Sequence, residues 1–225
     1  SLITKEYIMK LSDNTLSVLK NFASINSGVV LNHGKVQKTI SPEKSILVEA
    51  TLEDEIPSQF GIYDLNQFLS NITLVKNTDI TFEKDSVSIF DGEMKFNYLA
   101  CSPNLVITPP EKELALKNVD VKFTLLNASY QNWIKRAVLN SIPNLSVIGK
   151  DGELLIKIHE KANDTSNHGS VKIGDYAGKD FVATFKTENL KFLPDDYNVE
   201  IQAGAFAKFV NVAGNLKYFI ALETK

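Results

Sequence analysis

An amphipathic pattern near the start of the chain predicts a helix. In residues 12–26, apolar side chains recur at spacings of three and four residues, and polar side chains fill the positions between them. Ser12 or Asp13 can accept backbone N–H groups at the start, and Gly28 can adopt the left-handed conformation that ends a helix. The face expected in a protein core consists of Leu16, Leu19, Phe22 and Ala23.

Short alternating segments separated by turn residues predict β-strands after this helix. A second, shorter helix is expected at residues 64–74, where Asp64 can cap the first turn and apolar residues again recur at helical spacing. Beyond it, the alternation resumes on both sides of the Asp91-Gly92 turn. The strands predicted in this half are residues 29–31, 35–40, 46–52, 80–83, 87–90 and 94–98.

The same order of elements recurs in the second half of the chain. A strand at residues 119–125 precedes a helix at about 126–140, and a short helix is expected at residues 187–193, before Pro194. Identity between the halves is slight, so the repeat lies in the pattern and not in the letters. The apolar side of the long helix is predicted to be Trp133, Ile134, Ala137 and Val138. The strands predicted in this half are residues 145–148, 154–159, 171–176, 181–185, 199–203, 206–210 and 216–222.

Three prolines mark the connection between the halves. They are Pro103, Pro109 and Pro110, and proline stiffens a linker because it fixes φ. We therefore predict an α+β protein of two similar domains, each built from β-meanders with two helices. The first domain is expected at residues 1–108, a connector at residues 109–118 and the second domain at residues 119–225.

Composition indicates a soluble globular protein. The chain has 225 residues, of which 44% are hydrophobic and 23% charged, and its formal net charge is −3. This balance argues against a generally basic nucleic-acid binder, because non-specific phosphate binding uses clustered lysine and arginine. No apolar run approaches the ~20 residues that span a bilayer, so no membrane partner is expected.

Residues suited to catalysis are few. The chain has three histidines and one cysteine, with no recognisable motif around them. The acidic run at residues 53–55 lacks the spacing of a calcium loop, and no glycine-rich phosphate loop is present. We therefore expect no catalytic residue, no metal and no cofactor, and hence no enzyme. A cleft that joins His159 or Cys101 to nearby acids would argue otherwise.

The polar faces of the long helices are poor in acidic residues. Lys20 lies on the first helix, and Gln131, Lys135 and Arg136 lie on the third, whereas most aspartates and glutamates lie in strand and loop segments. Such a face suits loose contact with a phosphate backbone, which requires positive charge and hydrogen-bond donors but no reading of bases. A solvated helix surface with no partner explains the same residues, and both interpretations remain open at this stage.

Four stretches of sequence resemble one protein family. MKLSDNTLSVLKNFASINSG (residues 9–28) and IYDLNQFL (62–69) are the most specific, and IGDY (173–176) and YFIALE (218–223) follow in order. Together they resemble the DNA polymerase sliding clamp of T-even-type bacteriophages, from about residue 9 to the C-terminus.

The resemblance implies a DNA clamp fold in which three subunits close head to tail into a ring with helices lining the hole. It implies a non-enzymatic replicative clamp that encircles duplex DNA and tethers DNA polymerase for processive synthesis, in the cytoplasm of the infected bacterial host. An ATP-driven clamp loader would open the ring, because the chain has no nucleotide-binding loop. Late transcription factors are a further partner that the resemblance implies.

The resemblance also assigns residues to three surfaces. It implies that the last strand of the first domain lies at residues 105–107 and pairs with residues 171–176 of the next subunit; pairing within its own domain is the alternative. Partner tails would dock near the connector and the C-terminus, where the same residues could equally be plain core. The DNA-facing residues are then Lys20, Gln131, Lys135 and Arg136; the interface residues are Leu105, Val106, Ile107, Val171, Ile173 and Tyr176; the pocket residues are Leu114, Leu116, Phe219 and Leu222.

A rival hypothesis from another class also fits the pattern. A monomeric two-domain scaffold or small-ligand binding protein, without DNA contact, would show the same repeat and the same solvated helix faces. The mass in solution distinguishes the two hypotheses, because a stable monomer of 25.0 kDa would favour the scaffold.

Overall fold

The computed structural model describes residues 7–224. The first six residues and Lys225, which belong to the predicted first and second domains, lie outside the described residues. The chain divides into two compact units, a first that extends to Pro110 and a second that begins at Glu111.

The first unit packs two helices against antiparallel strands. Strands β1, β6, β7 and β8 form one sheet in that order, β3 pairs with β4, and β2 pairs with β5. The elements, all bounds as observed, are β1 (Ile8–Met9), α1 (Asp13–Ile25), β2 (Val29–Leu31), β3 (Gly34–Ile40), β4 (Ile46–Ile56), β5 (Phe60–Ile62), α2 (Leu65–Thr73), β6 (Asp79–Phe82), β7 (Ser86–Phe90), β8 (Lys95–Leu99) and a 3-10 turn (Pro103–Leu105).

The core of the first unit lies between the helices and the strands. Leu19 and Phe22 of α1 are completely buried, as their helical spacing predicts. Aromatic rings continue this core across α2, where Phe68 contacts Tyr98 edge to face with ring centroids 5.2 Å apart. Because Leu19 and Phe22 hold one side of α1 in the core, the opposite side of the helix faces solvent.

The second unit repeats the plan with one long helix. Its sheets have the strand orders β12-β11-β10-β13 and β16-β15-β14-β9, and every pairing within them is antiparallel. The elements are β9 (Val121–Leu125), α3 (Asn127–Leu139), β10 (Asn144–Lys150), β11 (Glu153–His159), β12 (Gly169–Asp175), β13 (Phe181–Lys186), a 3-10 turn (Thr187–Asn189), β14 (Tyr197–Ile201), β15 (Phe206–Asn211) and β16 (Leu216–Ala221).

A cluster of tyrosines closes the core of the second unit. Tyr130, Tyr197 and Tyr218 are almost fully buried around Phe192. Their hydroxyls converge on the backbone of Leu193: its carbonyl accepts from Tyr130 and Tyr197, and its N–H donates to Tyr218. Burial raises the pKa of Tyr197 and raises the pKa of Tyr218 to about 12.

The α+β class and the other three predicted helices are confirmed, but the short helix predicted at residues 187–193 is wrong. Only a 3-10 turn forms, at Thr187–Asn189. The Thr187 N–H donates to the carbonyl of Pro143, and the backbone of Leu193 bonds to tyrosine hydroxyls. The polar backbone groups thus have partners outside the segment, and Pro194 disfavours helical geometry at the residue before it.

The strand predicted at residues 105–107 is also wrong. Leu105 ends the 3-10 turn that begins at Pro103, and the last strand of the first unit is β8. Proline has no N–H for a strand ladder, and its fixed φ favours the start of a turn.

Candidate nucleic-acid interface and strand edges

Hydrogen bonds to β4 fix the start of α1. Ser12 caps the helix, because its hydroxyl oxygen accepts the Thr15 N–H at 3.1 Å. The Ser12 N–H in turn donates to the Asp54 carboxylate at 2.8 Å, and the Asp54 N–H donates to the Thr15 hydroxyl at 3.4 Å. This part of the acidic run at residues 53–55 therefore serves to position a helix.

Asn26 fixes the other end of α1. Its buried side-chain amide donates to the carbonyls of Ile40 and Ile107, both at 3.0 Å, and its side-chain oxygen accepts the Gly28 N–H at 3.2 Å. The helix end, β3 and the segment after β8 are thus joined through one side chain. Nothing in the amphipathic pattern indicated this role.

The exposed side of α1 carries Ser17, Lys20 and Ser24. Its charged residues are Asp13, in the first turn, and Lys20. The neighbouring helix α2 contains no charged residue, and its Asp64 cap precedes it. The face of this unit that α1 presents to solvent is therefore polar and short of acids.

Contacts from β14 and from the loop before it position α3. The residue before the helix, Leu126, cannot supply a side-chain cap, and the Asp196 carboxylate accepts the Asn127 N–H at 2.7 Å instead. One turn later, Tyr130 is inserted into the tyrosine cluster, and its hydroxyl meets the backbone of Leu193 and Asp195 at 3.4 Å each. These anchors hold the first half of α3 to the core.

The second half of α3 presents the cations predicted from the sequence. Lys135 and Arg136 are exposed, and Gln131 is half-buried beside Tyr130. Neither cation, nor Lys20 of α1, forms an ion pair within residues 7–224. Together α1, α2 and α3 carry three cations and one carboxylate, although the net charge of the whole chain is −3. The helices are thus the more positive part of an acidic protein.

One residue that the sequence placed in the core of α3 lies outside it. Val138 is 68% exposed and the next residue, Leu139, is 84% exposed, whereas Ala137 is fully buried. The buried stripe of α3 contains Tyr130 and Ala137, and Trp133 and Ile134 are half-buried. The last turn of the helix therefore extends beyond the core. The prediction for Val138 is wrong.

Each unit has a strand at the edge of a sheet. Within residues 7–224, β8 pairs with β7 alone and β12 pairs with β11 alone. On β8, Phe96 is 43% exposed and Leu99 is 73% exposed. An edge strand with exposed apolar side chains is a template for pairing with another strand.

The predicted interface residues of the second unit lie on its edge strand β12 or directly after it. Val171 is exposed, Ile173 is half-buried, and Tyr176 follows the strand with its ring against Phe181. Between them, Lys172 forms ion pairs with Glu153 at 3.3 Å and Asp175 at 3.1 Å. These carboxylates raise the pKa of the exposed Lys172. The positive charge on this edge strand is therefore paired with negative charge.

The predicted interface residues of the first unit lie beside β8 in the chain but not on a strand. Leu105 is 65% exposed, Val106 is half-buried and Ile107 is exposed, with its carbonyl held by Asn26. The strand that the resemblance implied at these residues is absent, and the strand at this end of the sheet is β8.

The structure distributes the predicted pocket residues over different environments. Leu114 is exposed and Leu116 is half-buried, in the segment before β9. Phe219 is buried in β16, where its ring lies 6.1 Å from that of Phe206, and half-buried Leu222 donates its N–H to the carbonyl of Ala205. Their role in a partner pocket stays a prediction.

His159 and Cys101, the two candidate catalytic side chains, are both half-buried. His159 Nε2 lies 2.7 Å from the Ser146 hydroxyl, which lies 2.8 Å from that of Thr184, and burial lowers the pKa of His159. Cys101 is half-buried and burial raises its thiol pKa. Over the described residues, no group of three or more His, Cys, Asp and Glu side chains could hold a metal, and no helix is long and apolar enough to cross a membrane.

Comparisons with known proteins identify the family of this chain. Residues 10–107 match the family described as DNA polymerase processivity factor. The chain is similar to the sliding clamp of Vibrio phage KVP40, with 30% identity over 221 residues that cover 96% of this chain and 99% of that protein. The sliding clamp of Enterobacteria phage T4 is also 30% identical, over 225 residues that cover 96% and 97% of the two chains. The resemblance noted in the sequence is confirmed.

Solved structures show the fold. PCNA of A. fulgidus, with the C-terminal region of FEN-1 bound, superposes with a TM-score of 0.71 at 13% identity, covering 98% of each chain. The DNA polymerase III β subunit of Borrelia burgdorferi gives a TM-score of 0.70 at 12% identity, covering all of this chain and 66% of that one. The expected DNA clamp fold is thereby confirmed.

Proposed function

The chain belongs to the sliding clamp family of T4-like phages, whose members are DNA polymerase processivity factors, and on this premise we propose that three copies close head to tail into a ring around duplex DNA. The observation that carries the proposal is the pair of unlike free edges, β8 on one unit and β12 on the other. A head-to-tail contact pairs these two edges in every subunit and leaves neither of them open once the ring is closed.

The proposed contact joins β8 of one subunit to β12 of the next and continues the sheet across the boundary. It buries the exposed Phe96 and Leu99 and engages Val171, with Ile173 and Tyr176 beside it. It replaces the pairing through residues 105–107 that the family resemblance implied. Backbone hydrogen bonds at two free edges and a small apolar surface are the sources of its stability.

The helices face the DNA in this proposal. Each subunit brings Lys20, Lys135 and Arg136 to the hole, with the amide of Gln131 beside them and Asp13 as the carboxylate of these helices. Cations on flexible side chains contact any phosphate backbone, and without base-specific hydrogen bonds the ring is free to slide. The ring retains the polymerase on its template by enclosing the duplex.

The remaining partners follow from the same premise. An ATP-driven clamp loader opens the ring in the cytoplasm of the infected host, and late transcription factors use the same ring as a mobile activator. Polymerase and loader tails dock at Leu114, Leu116, Phe219 and Leu222. The protein performs no catalysis of its own.

The ring is tested by changing one edge. Phe96→Asp with Leu99→Asp places two carboxylates at the proposed contact, and Val212→Asp, at a valine that is 66% exposed in another part of the chain, is the matched control. We expect the parent and the control to sediment as trimers at micromolar concentration, and the edge variant as a monomer. A parent that remains a 25.0 kDa monomer at every concentration supports the scaffold hypothesis and refutes the ring.

Enclosure is tested separately with polymerase. A clamp that holds by topology stimulates synthesis on a circular primed template and slides off the free end of a linear one. Equal retention on both templates would contradict enclosure, even if the protein is a trimer.

A further inference from the structure

A groove of about 730 Å³ lies at the C-terminal end of α3, within the second unit. The last turn of the helix, the start of β10 and the ends of β11 and β13 form its walls. A volume of this size accommodates a few side chains of a ligand. Its apolar lining consists of Ala137, Val138, Ile142, Pro143 and Ala162.

The apolar lining continues onto an uncovered surface. Val138 lines the groove and is 68% exposed, and Leu139 beside it is 84% exposed. The helix thus ends on two large aliphatic side chains that contribute little to the core. Contiguous exposed apolar surface beside a groove is typical of a binding site.

A buried hydroxyl without a partner lies in the same groove. Thr187 is 8% exposed, lines the groove, and its Oγ1 atom has no hydrogen-bond partner within residues 7–224. Its backbone N–H is already used by the carbonyl of Pro143 at 2.8 Å. Buried hydroxyls are normally paired, so this atom is an unsatisfied polar group in the wall of the groove.

The charges at the rim are not balanced. The two lysines of the groove are engaged by the end of the chain: Lys161 donates to the carbonyl of Thr224 at 3.1 Å, and Lys186 lies 4.0 Å from the Glu223 carboxylate. Glu160 and Glu188 line the groove without an ion pair among the described residues. The Lys161 ammonium also lacks a carboxylate partner among the described residues, so the three glutamates and two lysines that line the groove leave a net charge of −1.

We propose that this groove docks a short segment of a partner protein in which a large apolar side chain stands next to lysine or arginine. The apolar side chain packs on Val138 and Ile142, the cation meets Glu160 or Glu188, and a peptide group pairs with the Thr187 hydroxyl. The site is distinct from the pocket predicted at Leu114, Leu116, Phe219 and Leu222, none of which lines the groove. It goes beyond the proposed ring, because every lining residue belongs to one unit.

The experiment uses the full chain and three synthetic peptides. The first is acetyl-SLFKKS-amide, the second replaces both lysines with glutamate, and the third replaces leucine and phenylalanine with alanine. Binding is measured by fluorescence anisotropy of labelled peptides and located by backbone amide shifts in NMR spectra. We expect saturable binding of the first peptide, roughly tenfold weaker binding of the others, and shifts at α3 and the Thr187 turn.

Variants separate docking from folding. Val138→Ser and Glu188→Gln should each weaken binding of the first peptide several-fold, and Thr187→Val should weaken it while the thermal midpoint stays the same or rises. The control is Val212→Ser, an exposed valine away from the groove. The proposal is overturned if the first peptide does not saturate, if the acidic peptide binds equally well, or if Val138→Ser has no more effect than the control. It is also overturned if the groove residues shift with protein concentration alone, which would identify a second copy as the occupant.

Discussion

The Asp196 carboxylate accepts the backbone N–H of Asn127 at 2.7 Å and so caps a helix from 69 residues farther along the chain. The residue at the cap position itself is Leu126, which has no side-chain acceptor. The first turn of α3, and with it the direction in which Lys135 and Arg136 project, therefore depends on the loop before β14.

Replacing this distant cap should weaken the second unit. We expect Asp196→Ala to lower the free energy of unfolding by about 1 kcal/mol, the usual cost of losing a helix cap. Urea titration measures the change. Asp196→Asn keeps a side-chain acceptor and should retain most of the stability; equal losses in the two variants would show that the charge, and not the hydrogen bond, is important.

The buried Asn26 should be more costly to replace. Asn26→Ala removes two donated bonds and one accepted bond, and leaves the carbonyls of Ile40 and Ile107 without that partner. A loss of about 2–4 kcal/mol is expected in urea unfolding, because buried groups lose partners they cannot replace with water. Asn14→Ala, at an exposed position of the same helix, is the control and should change stability little.

Stability should depend on pH through His159. Burial, followed by the charge of Lys157, lowers its pKa in the folded protein below the ordinary 6.5. As the pH falls through 6.5 the unfolded chain takes up the proton first, so folding stability decreases until the folded-state pKa is passed. His159→Gln should reduce this slope in urea titrations between about pH 5 and 7, whereas His33→Gln, at an exposed loop position, should leave it in place.

The tyrosine cluster predicts the opposite dependence at alkaline pH. Burial raises the pKa of Tyr218 to about 12, so the unfolded chain, with a pKa near 10, loses this proton first. Stability is therefore full below pH 10 and decreases as the pH rises through that value toward 12. Absorbance at the tyrosinate band should increase together with loss of near-UV circular dichroism. Tyr218→Phe should lessen this alkaline slope, although it leaves the Leu193 N–H without its acceptor.

The helix cations should act on DNA and not on assembly. Replacing Lys20, Lys135 and Arg136 by alanine should reduce polymerase stimulation, with the largest difference at low salt, because phosphate contacts weaken as salt rises. Sedimentation should show an unchanged oligomer. A control with the same loss of charge replaces three exposed lysines outside the helices, Lys84, Lys150 and Lys179; an equal effect of both sets would assign the loss to net charge alone.

The sequence predicted the parts of the fold that local periodicity determines. The buried stripe of α1 and the hairpin around Asp91-Gly92 follow directly from apolar spacing and turn residues. Val138 was misassigned, because a helix whose last turn extends past the core keeps the same apolar spacing. The cap from Asp196 and the three bonds of Asn26 depend on contacts between distant segments, and periodicity contains no information about them.

The candidate site shows the same difference between features that local spacing predicts and features that depend on distant contacts. Exposed cations on α1 and α3 were found from helical spacing, since the opposite face of each helix had to be buried. The interface edge of the first unit was assigned to Leu105–Ile107, because the family resemblance implied that its last strand lies there. Pro103 begins a 3-10 turn at this point of the chain. Only the sheet topology shows that β8 lies at the edge of its sheet.

In the proposed ring, the edges of β8 and β12 limit how well a subunit can distinguish an identical subunit from a related one. Main-chain N–H and C=O groups are the same in every protein, so a strand edge accepts a related subunit as readily as an identical one. Discrimination then falls to a few side chains, such as Phe96, Leu99 and the ion-paired Lys172. In a cell infected by two related viruses, divergence at these few positions would decide whether mixed assemblies form.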